Sequence, residues 1–344
     1  METSKYDSYP PVDMTGKRVL LLYARFFGYD KMVKEALERR GAIVDLYDAR
    51  ANINVVEKAI KKVSPVFYFK KQARFHKEIQ ESNSEKHYDY IYTNEFIAAD
   101  TLIGYKRCFP EAKLILYLDD SVANLKGVDE TFPLYDRVLT FDRMDAVKYS
   151  IELRPLFFGK AYQDKARQEQ PLRHNLCFIG TIHSDRQQII NLIEDDETVN
   201  TGGRDFYRYC YLQSGFMYWY YFARQPEFRQ KKRDYFAYSQ LSAEAVAENM
   251  AQSVAILDIE HPKQSGLTMR TIETLGMGKK LVTTNADIAN YDFYNSNNIL
   301  IIDRNDPKLN AAFFDLPYEP LSKELYEKYS IDGWIDCVFA DGSK

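Results

Sequence analysis

Long hydrophobic runs are missing from this chain. No stretch approaches the ~20 apolar residues that a membrane-spanning helix needs, so any membrane association is expected to be peripheral. The first fifteen residues are polar and lack the apolar core of a signal segment. Cysteine is sparse: Cys108, Cys177, Cys210 and Cys337 stand too far apart for a metal clip or a dense disulfide framework. Cys177, inside an apolar run, serves as a small hydrophobe. A reducing cytosol is the simplest compartment. Only 15 Gly and 12 Pro occur in 344 residues, which excludes collagen-like and linker-dominated chains. Neither charge sign dominates. With 46 Lys+Arg against 50 Asp+Glu, the net charge of -4 offers no cationic surface for general nucleic-acid binding. His76, His87, His174, His183 and His261 include no pair at metal-ligand spacing, so no bound metal is expected. GxxxxGK[ST], GxSxG and HExxH do not occur. After the first apolar run the turn reads Ala24-Arg25-Phe26-Phe27-Gly28, not GxGxxG, which argues against a dinucleotide oxidoreductase.

What is present is an alternation of short apolar runs and amphipathic stretches, the mark of α/β architecture with parallel sheets. Strands are expected at 18–23, 43–47, 88–93, 113–118 and 137–141, then at 175–179, 253–258, 280–283 and 298–302. Helices are expected at 30–40, 184–193, 205–224, 242–252, 267–277 and 322–339. The basic end Arg39-Arg40 followed by Gly41 has the form of a helix stop. A polar stretch, Lys160 to His174, reads as a linker between two doubly wound halves of about 150 residues each.

The densest signal is Asp258-Ile-Glu-His-Pro-Lys-Gln-Ser-Gly-Leu-Thr-Met-Arg-Thr-Ile-Glu273. A buried strand ends in Asp258, a polar loop follows, and an amphipathic helix begins. The first turn of such a helix presents backbone N–H groups at a positive dipole end, a seat for phosphate. Gly266 allows close backbone approach. Arg270 and Glu273, three apart, share one helix face. A cation for phosphate and a carboxylate for ribose hydroxyls would suit a nucleotide. The alternative is a simple ion pair between the two. Upstream, Ile179-Gly180-Thr181-Ile-His183-Ser184-Asp-Arg186-Gln187 reads as strand, turn and helix start, with Ser184 and Gln187 spaced as a capping box.

The run His261-Pro-Lys-Gln-Ser-Gly-Leu-Thr-Met-Arg-Thr-Ile-Glu273, followed by Gly278-Lys-Lys-Leu-Val-Thr-Thr-Asn285, resembles the donor half of GT-B glycosyltransferases. It is most similar to the bacterial capsule and lipopolysaccharide branch, near the CgeB-like proteins. Cys177-Phe-Ile-Gly-Thr181 with Arg186, Leu118-Asp119-Asp120-Ser121, and Tyr291-Asp-Phe-Tyr-Asn295 before Asp303 agree in order. The resemblance covers most of the chain, with its motifs between Phe178 and Asp303. It implies two Rossmann-like domains facing across a cleft: an acceptor side over 1–160, a nucleotide-sugar donor side over 161–320, and a C-terminal helix over 321–344 packing back toward the first domain. It implies that Glu273 binds the donor ribose and that Gly180 and Thr181 lie near the pyrophosphate. Lys263 and Arg270 are candidates for neutralising phosphate, with Arg186, His261, Gln264 and Gly266 in the same donor site. The second glutamate of the E-x7-E pattern is replaced by Ser265, so the motif assigns no stereochemistry. The nucleotide-sugar is a substrate and no cofactor is implied. The acceptor implied is a surface glycan, often lipid-linked; the alternative is a catalytically silent glycan-binding or scaffold protein.

Asp119 and Asp120 follow a strand directly, where acids point into the crevice of an open α/β sheet. Asp120 is the candidate base for an acceptor hydroxyl, with Asp119 beside it. Capping by Asp119, Asp120 or Ser121 is the plainer reading, and a DxD metal site has the wrong spacing. Asn94-Glu95 is a further crevice candidate. His183 and His261 could bond phosphate or sugar hydroxyls, or be loop residues without that duty. Lys58 to Lys77 interleaves seven cations with Phe67, Tyr68, Phe69 and Phe75. It suits an anionic membrane surface or a solvated helix face over a core stripe. Phe206 to Phe236 is a second basic and aromatic stretch, read as core packing or an acceptor wall.

Overall fold

The computed structural model describes residues 9–25, 28–52, 65–168, 170–262 and 264–340. The chain forms two compact units. One runs from the N-terminal side to Pro155 and takes back the segment from Ile331 onward; the other is Leu156–Ser330.

In the first unit, strands β1 (Arg18–Leu22), β2 (Ile43–Tyr47), β3 (Tyr90–Thr93), β4 (Lys113–Leu118), β5 (Arg137–Thr140) and β6 (Glu152–Leu153) form a parallel sheet in the order β2-β1-β3-β4-β5-β6. Helices α1 (Tyr29–Arg39), α2 (Pro65–Ser82), α3 (Ala99–Cys108) and α4 (Arg143–Tyr149) alternate with them. The central strands β1, β3 and β4 are buried along almost their whole length, which is why they read as continuous apolar runs. Gly41 ends α1 in the left-handed region at φ +87°. There its N–H bonds the Glu38 carbonyl at 2.9 Å, and an added Cβ would stand 3.0 Å from the Thr15 backbone.

In the second unit, β7 (His174–Thr181), β8 (Asp205–Tyr211), β9 (Ser253–Asp258), β10 (Lys280–Thr283) and β11 (Ile299–Ile301) form a second parallel sheet, ordered β11-β10-β9-β7-β8. Its helices are α5 (Lys160–Ala166), α6 (Arg186–Glu194), α7 (Gly215–Arg224), α8 (Ala243–Ala251), α9 (Met269–Gly276), α10 (Ala311–Asp315) and α11 (Lys323–Lys328). Leu176, Phe178, Ile189, Ile190, Leu257 and Val282 belong to the core on one face of the sheet. Cys177, Ile256, Met250 and Met277 pack on the other.

Each sheet reverses direction once. The chain leaves β1 toward β2 and returns to β3 on the far side; likewise it leaves β7 toward β8 and returns to β9. Such switch points open a crevice at the carboxyl ends of the strands, where α/β proteins take their ligands.

A final helix, α12 (Ile331–Val338), belongs to the first unit. Trp334 is fully buried there, edge-on to Tyr117 at 5.0 Å and to Tyr92 at 5.9 Å. The Arg40 guanidinium grips the same helix, donating to the Asp332 carbonyl at 2.9 Å and pairing with Asp336.

Four local expectations need correction. The segment expected as one helix over 205–224 is strand β8 followed by helix α7. Its Tyr- and Phe-rich first half suits a half-buried pleated surface, and Ser214 caps the new helix by accepting from the Met217 N–H at 3.4 Å. The expected linker Lys160 to His174 is not a bare linker: it holds α5, whose Tyr162 is buried beside Cys177 and Met250, and the first residue of β7. The Ser184–Gln187 capping box does not form. Ser184 is left-handed at φ 54°, and buried Gln187 turns inward to donate to Asn191 at 2.7 Å. The helix expected over 322–339 breaks into α11 and α12, because the Tyr329 carbonyl accepts from the Phe158 N–H at 3.0 Å instead of continuing a helical ladder.

Candidate functional site

At the carboxyl edge of the second sheet, β9 ends in buried Asp258. Its Oδ2 accepts from the Thr268 hydroxyl at 2.7 Å and the Thr271 hydroxyl at 2.6 Å. Thr268 is also the N-cap of α9, accepting from the Thr271 N–H at 3.2 Å. One carboxylate therefore fixes the start of α9 against the end of β9.

Arg186, the first residue of α6, spans the switch point itself. Its Nε donates to the Ile259 carbonyl beyond β9 at 2.7 Å, and its Nη1 donates to the Thr181 carbonyl at the end of β7 at 2.8 Å. Burial pulls its pKa below the usual guanidinium value, while Asp258 and Glu260 act against that pull; arginine stays charged under such a shift. Gly180 lies in β7 rather than in a turn, and an added Cβ would stand 3.1 Å from the Phe178 ring and 3.5 Å from the Arg186 guanidinium.

Arg270 and Glu273 pair directly, Nη1 to Oε2 at 2.8 Å, and Arg270 Nη2 reaches the Ile179 carbonyl at 3.4 Å. The carboxylate is almost fully buried. Burial, and then this carboxylate, raise the pKa of the Tyr162 phenol. The ion pair expected as the plainer alternative is thus present. It is not a solvated surface pair, because it ties α9 to β7.

Around the loop after β9, His183 and His261 face each other with ring centroids 5.7 Å apart. Burial, then the neighbouring Arg186 and His261, lower the His183 pKa to about 4, so the ring is neutral at pH 7. Gln264 donates to the Gly266 carbonyl at 3.0 Å, and Asn285 donates to the Ser265 carbonyl at 3.1 Å. Lys263 lies outside the described residues. Three groups that the sequence reading passed over complete this edge. Arg304 pairs with both carboxylate oxygens of Asp185 at 2.8 Å and with buried Glu260, which also accepts from the Thr284 hydroxyl. Their signal was positional: Glu260 stands two residues past the end of β9, and Arg304 three past β11.

The first sheet carries its own polar edge. Asn94, just past β3, accepts from the Ala24 N–H at 2.8 Å and donates to Asp119 Oδ2 at 2.7 Å. It links the ends of β1, β3 and β4. Burial raises the Asp119 pKa to about 7; Glu95 and Asp120 oppose its ionisation further, and the Asn94 amide works against them. Asp120 does different work. Its Oδ1 accepts from the Ser121 N–H and from Asn124 Nδ2, both at 2.8 Å, and so folds the turn that follows β4. Arg186, Gly180, Thr181, His261, Arg270 and Glu273 thus gather at one edge of the second unit, and Asp119 and Asp120 at one edge of the first.

No family model and no curated protein matches the chain. Solved structures do. The N-terminal domain of the Candida albicans trehalose-6-phosphate phosphatase matches at TM-score 0.59 and 10% identity, over 96% of this chain and 99% of that one. The Methanocaldococcus jannaschii UDP-GlcNAc 2-epimerase matches at TM-score 0.54 and 8% identity, over 95% and 100%. Anabaena HepE, solved in complex with UDP and glucose, matches at TM-score 0.52 and 11% identity, over 93% and 94%. At such identities the likeness speaks to architecture: the chain carries the GT-B fold, two Rossmann-like domains in tandem.

Proposed function

We propose that this protein is a glycosyltransferase that moves a sugar from a nucleotide-sugar to a bacterial surface-glycan acceptor, of capsule, exopolysaccharide or lipopolysaccharide type. The second unit takes the donor and the first unit takes the acceptor. The observation that carries the reading is the switch point of the second sheet. There Arg186 spans the ends of β7 and β9 while Asp258 pins the start of α9 beside it. A leaving diphosphate needs fixed positive groups that cost no reorganisation when its charge develops. Arg186 and the amide groups opening α9 supply them. Glu273 is the residue assigned to the donor ribose, with Arg270 holding its carboxylate in place.

Asp119 is the base for an inverting transfer. Burial raises its pKa to about 7, so it ionises near neutral pH and can accept a proton from the acceptor hydroxyl. With Arg186 and helix amides at the leaving group, the transfer is proposed to need no metal. The enzyme is assigned to the cytoplasm, at the inner face of the plasma membrane, where lipid-linked acceptors are presented.

A second reading has a specific basis: the structural likeness to a UDP-GlcNAc 2-epimerase suits isomerisation of the bound nucleotide-sugar on the same fold. Product analysis separates the two. Incubation with labelled UDP-, GDP- and CMP-sugars and a bacterial lipid extract in excess EDTA should move label into the lipid fraction and release nucleotide. Label that stays on the nucleotide in an isomerised sugar would favour the epimerase. No consumption of any donor would contradict both.

A further inference from the structure

We propose that helix α7 is a docking face for an anionic lipid bilayer. Its inner side is ordinary core: Tyr218 is buried, and Met217, Tyr221 and Phe222 pack against the second unit's hydrophobic cluster. Its outer side is the anomaly. Phe216 is 74% exposed, Trp219 56% and Tyr220 38%, and their i, i+3, i+4 spacing puts them on one face. A helix apolar all round belongs in a core or against lipid, and α7 is covered on one side only.

The surrounding charge selects the occupant. Between Gln213 and Arg233 five cations (Arg224, Arg229, Lys231, Lys232 and Arg233) stand against the single acid Glu227, in a chain whose net charge is -4. They frame both ends of the aromatic face. Arg233 lies against Gly215 at the helix start. Arg229 donates to the Phe222 and Ala223 carbonyls at 3.0 and 3.2 Å at its end, and Arg224 stacks on the Tyr220 ring at 4.4 Å. Lys231 is held by Glu194 and the other four cations are exposed. Phe, Trp and Tyr prefer the boundary between headgroups and acyl chains, and the flanking cations meet anionic headgroups. The α2 stretch is the weaker candidate: Phe67 is exposed, but Arg74 and Lys77 already pair with Glu78 and Glu81 along their own helix.

This surface is independent of sugar transfer, so its test needs no donor. Trp219 is its own reporter, because Trp334 is fully buried and only two tryptophans occur. The full chain should co-sediment with phosphatidylglycerol vesicles and not with phosphatidylcholine vesicles. Its tryptophan emission should move to shorter wavelength on binding, and the W219F variant should lose that shift. The triple variant F216S/W219S/Y220S, altered only at exposed positions, should keep the wild-type circular dichroism and bind at least about tenfold more weakly. Raising salt from about 0.1 M to about 0.5 M should weaken binding. Equal vesicle binding by wild type and triple variant would overturn the proposal. So would a wild type that ignores anionic vesicles but sediments as a dimer which the triple variant dissolves, since a second copy would then cover the face.

Discussion

Asp119 and Asp120 are adjacent in sequence and opposite in circumstance. Asp120 spends an oxygen on the turn after β4, whereas Asp119 is half-buried and bonded by a neutral amide. If Asp119 is the base, Asp119→Asn should lower turnover by about 10²–10⁴-fold with little change in donor affinity. Steady-state kinetics with calorimetric donor titration would measure both. Asp120→Asn should cost no more than about 1 kcal/mol of stability and leave most of the rate. The ionised carboxylate is the active form, so the wild-type rate should climb with pH through a midpoint near 7, and the Asn variant should lose that limb. Stability runs the other way. The folded-state pKa is raised from 3.8 to about 7, so the contribution of Asp119 is full below about pH 4 and is lost as pH rises through about 7. Urea denaturation from pH 4 to 8 should therefore show the wild type losing more stability than Asp119→Asn. Both acids were legible as residues at the carboxyl end of a buried strand, which they follow directly. Their division of labour was not, because it depends on Asn94, a partner twenty-five residues away just past another strand.

At the scale of elements, the start of α9 is a small cooperative unit: one buried carboxylate, two threonine hydroxyls and a capped N–H. Removing either hydroxyl leaves Asp258 short of a donor in a buried place. Thr271→Val should cost about 1–3 kcal/mol, and Thr268→Ala about the same because the cap is lost as well. Chemical denaturation would show it, and donor affinity should fall with the disordered helix start. The sequence made this strand–loop–helix plain, since an apolar run, a polar loop and an amphipathic helix each have their own period. It was least clear over 205–224, where nine of the twenty residues are Tyr or Phe. Such a run satisfies a strand pattern and a helix pattern together, and only Ser214-Gly215 marked the boundary. The aromatic face of α7 escaped for the same reason. Sequence alone cannot say which rings of such a run are inside.

At the scale of the molecule, the two parallel sheets were legible because their central strands are buried on both faces and separated by helices. The return of the final segment to the first unit is secured by particular contacts, Trp334 against Tyr92 and Tyr117 and Arg40 against Asp332 and Asp336. Trp334→Ala should destabilise the first unit by about 3–5 kcal/mol, read as a lower denaturation midpoint for that unit. The proposed transfer requires that the crevice of the second sheet holds an activated sugar. Isothermal titration of the full chain with UDP-, GDP- and CMP-sugars tests this most directly, with Glu273→Gln as the companion variant. One nucleotide class should bind at or below millimolar concentration, and the variant should weaken it by about tenfold or more. Silence from all three classes at millimolar concentration, or equal binding by the variant, would contradict it.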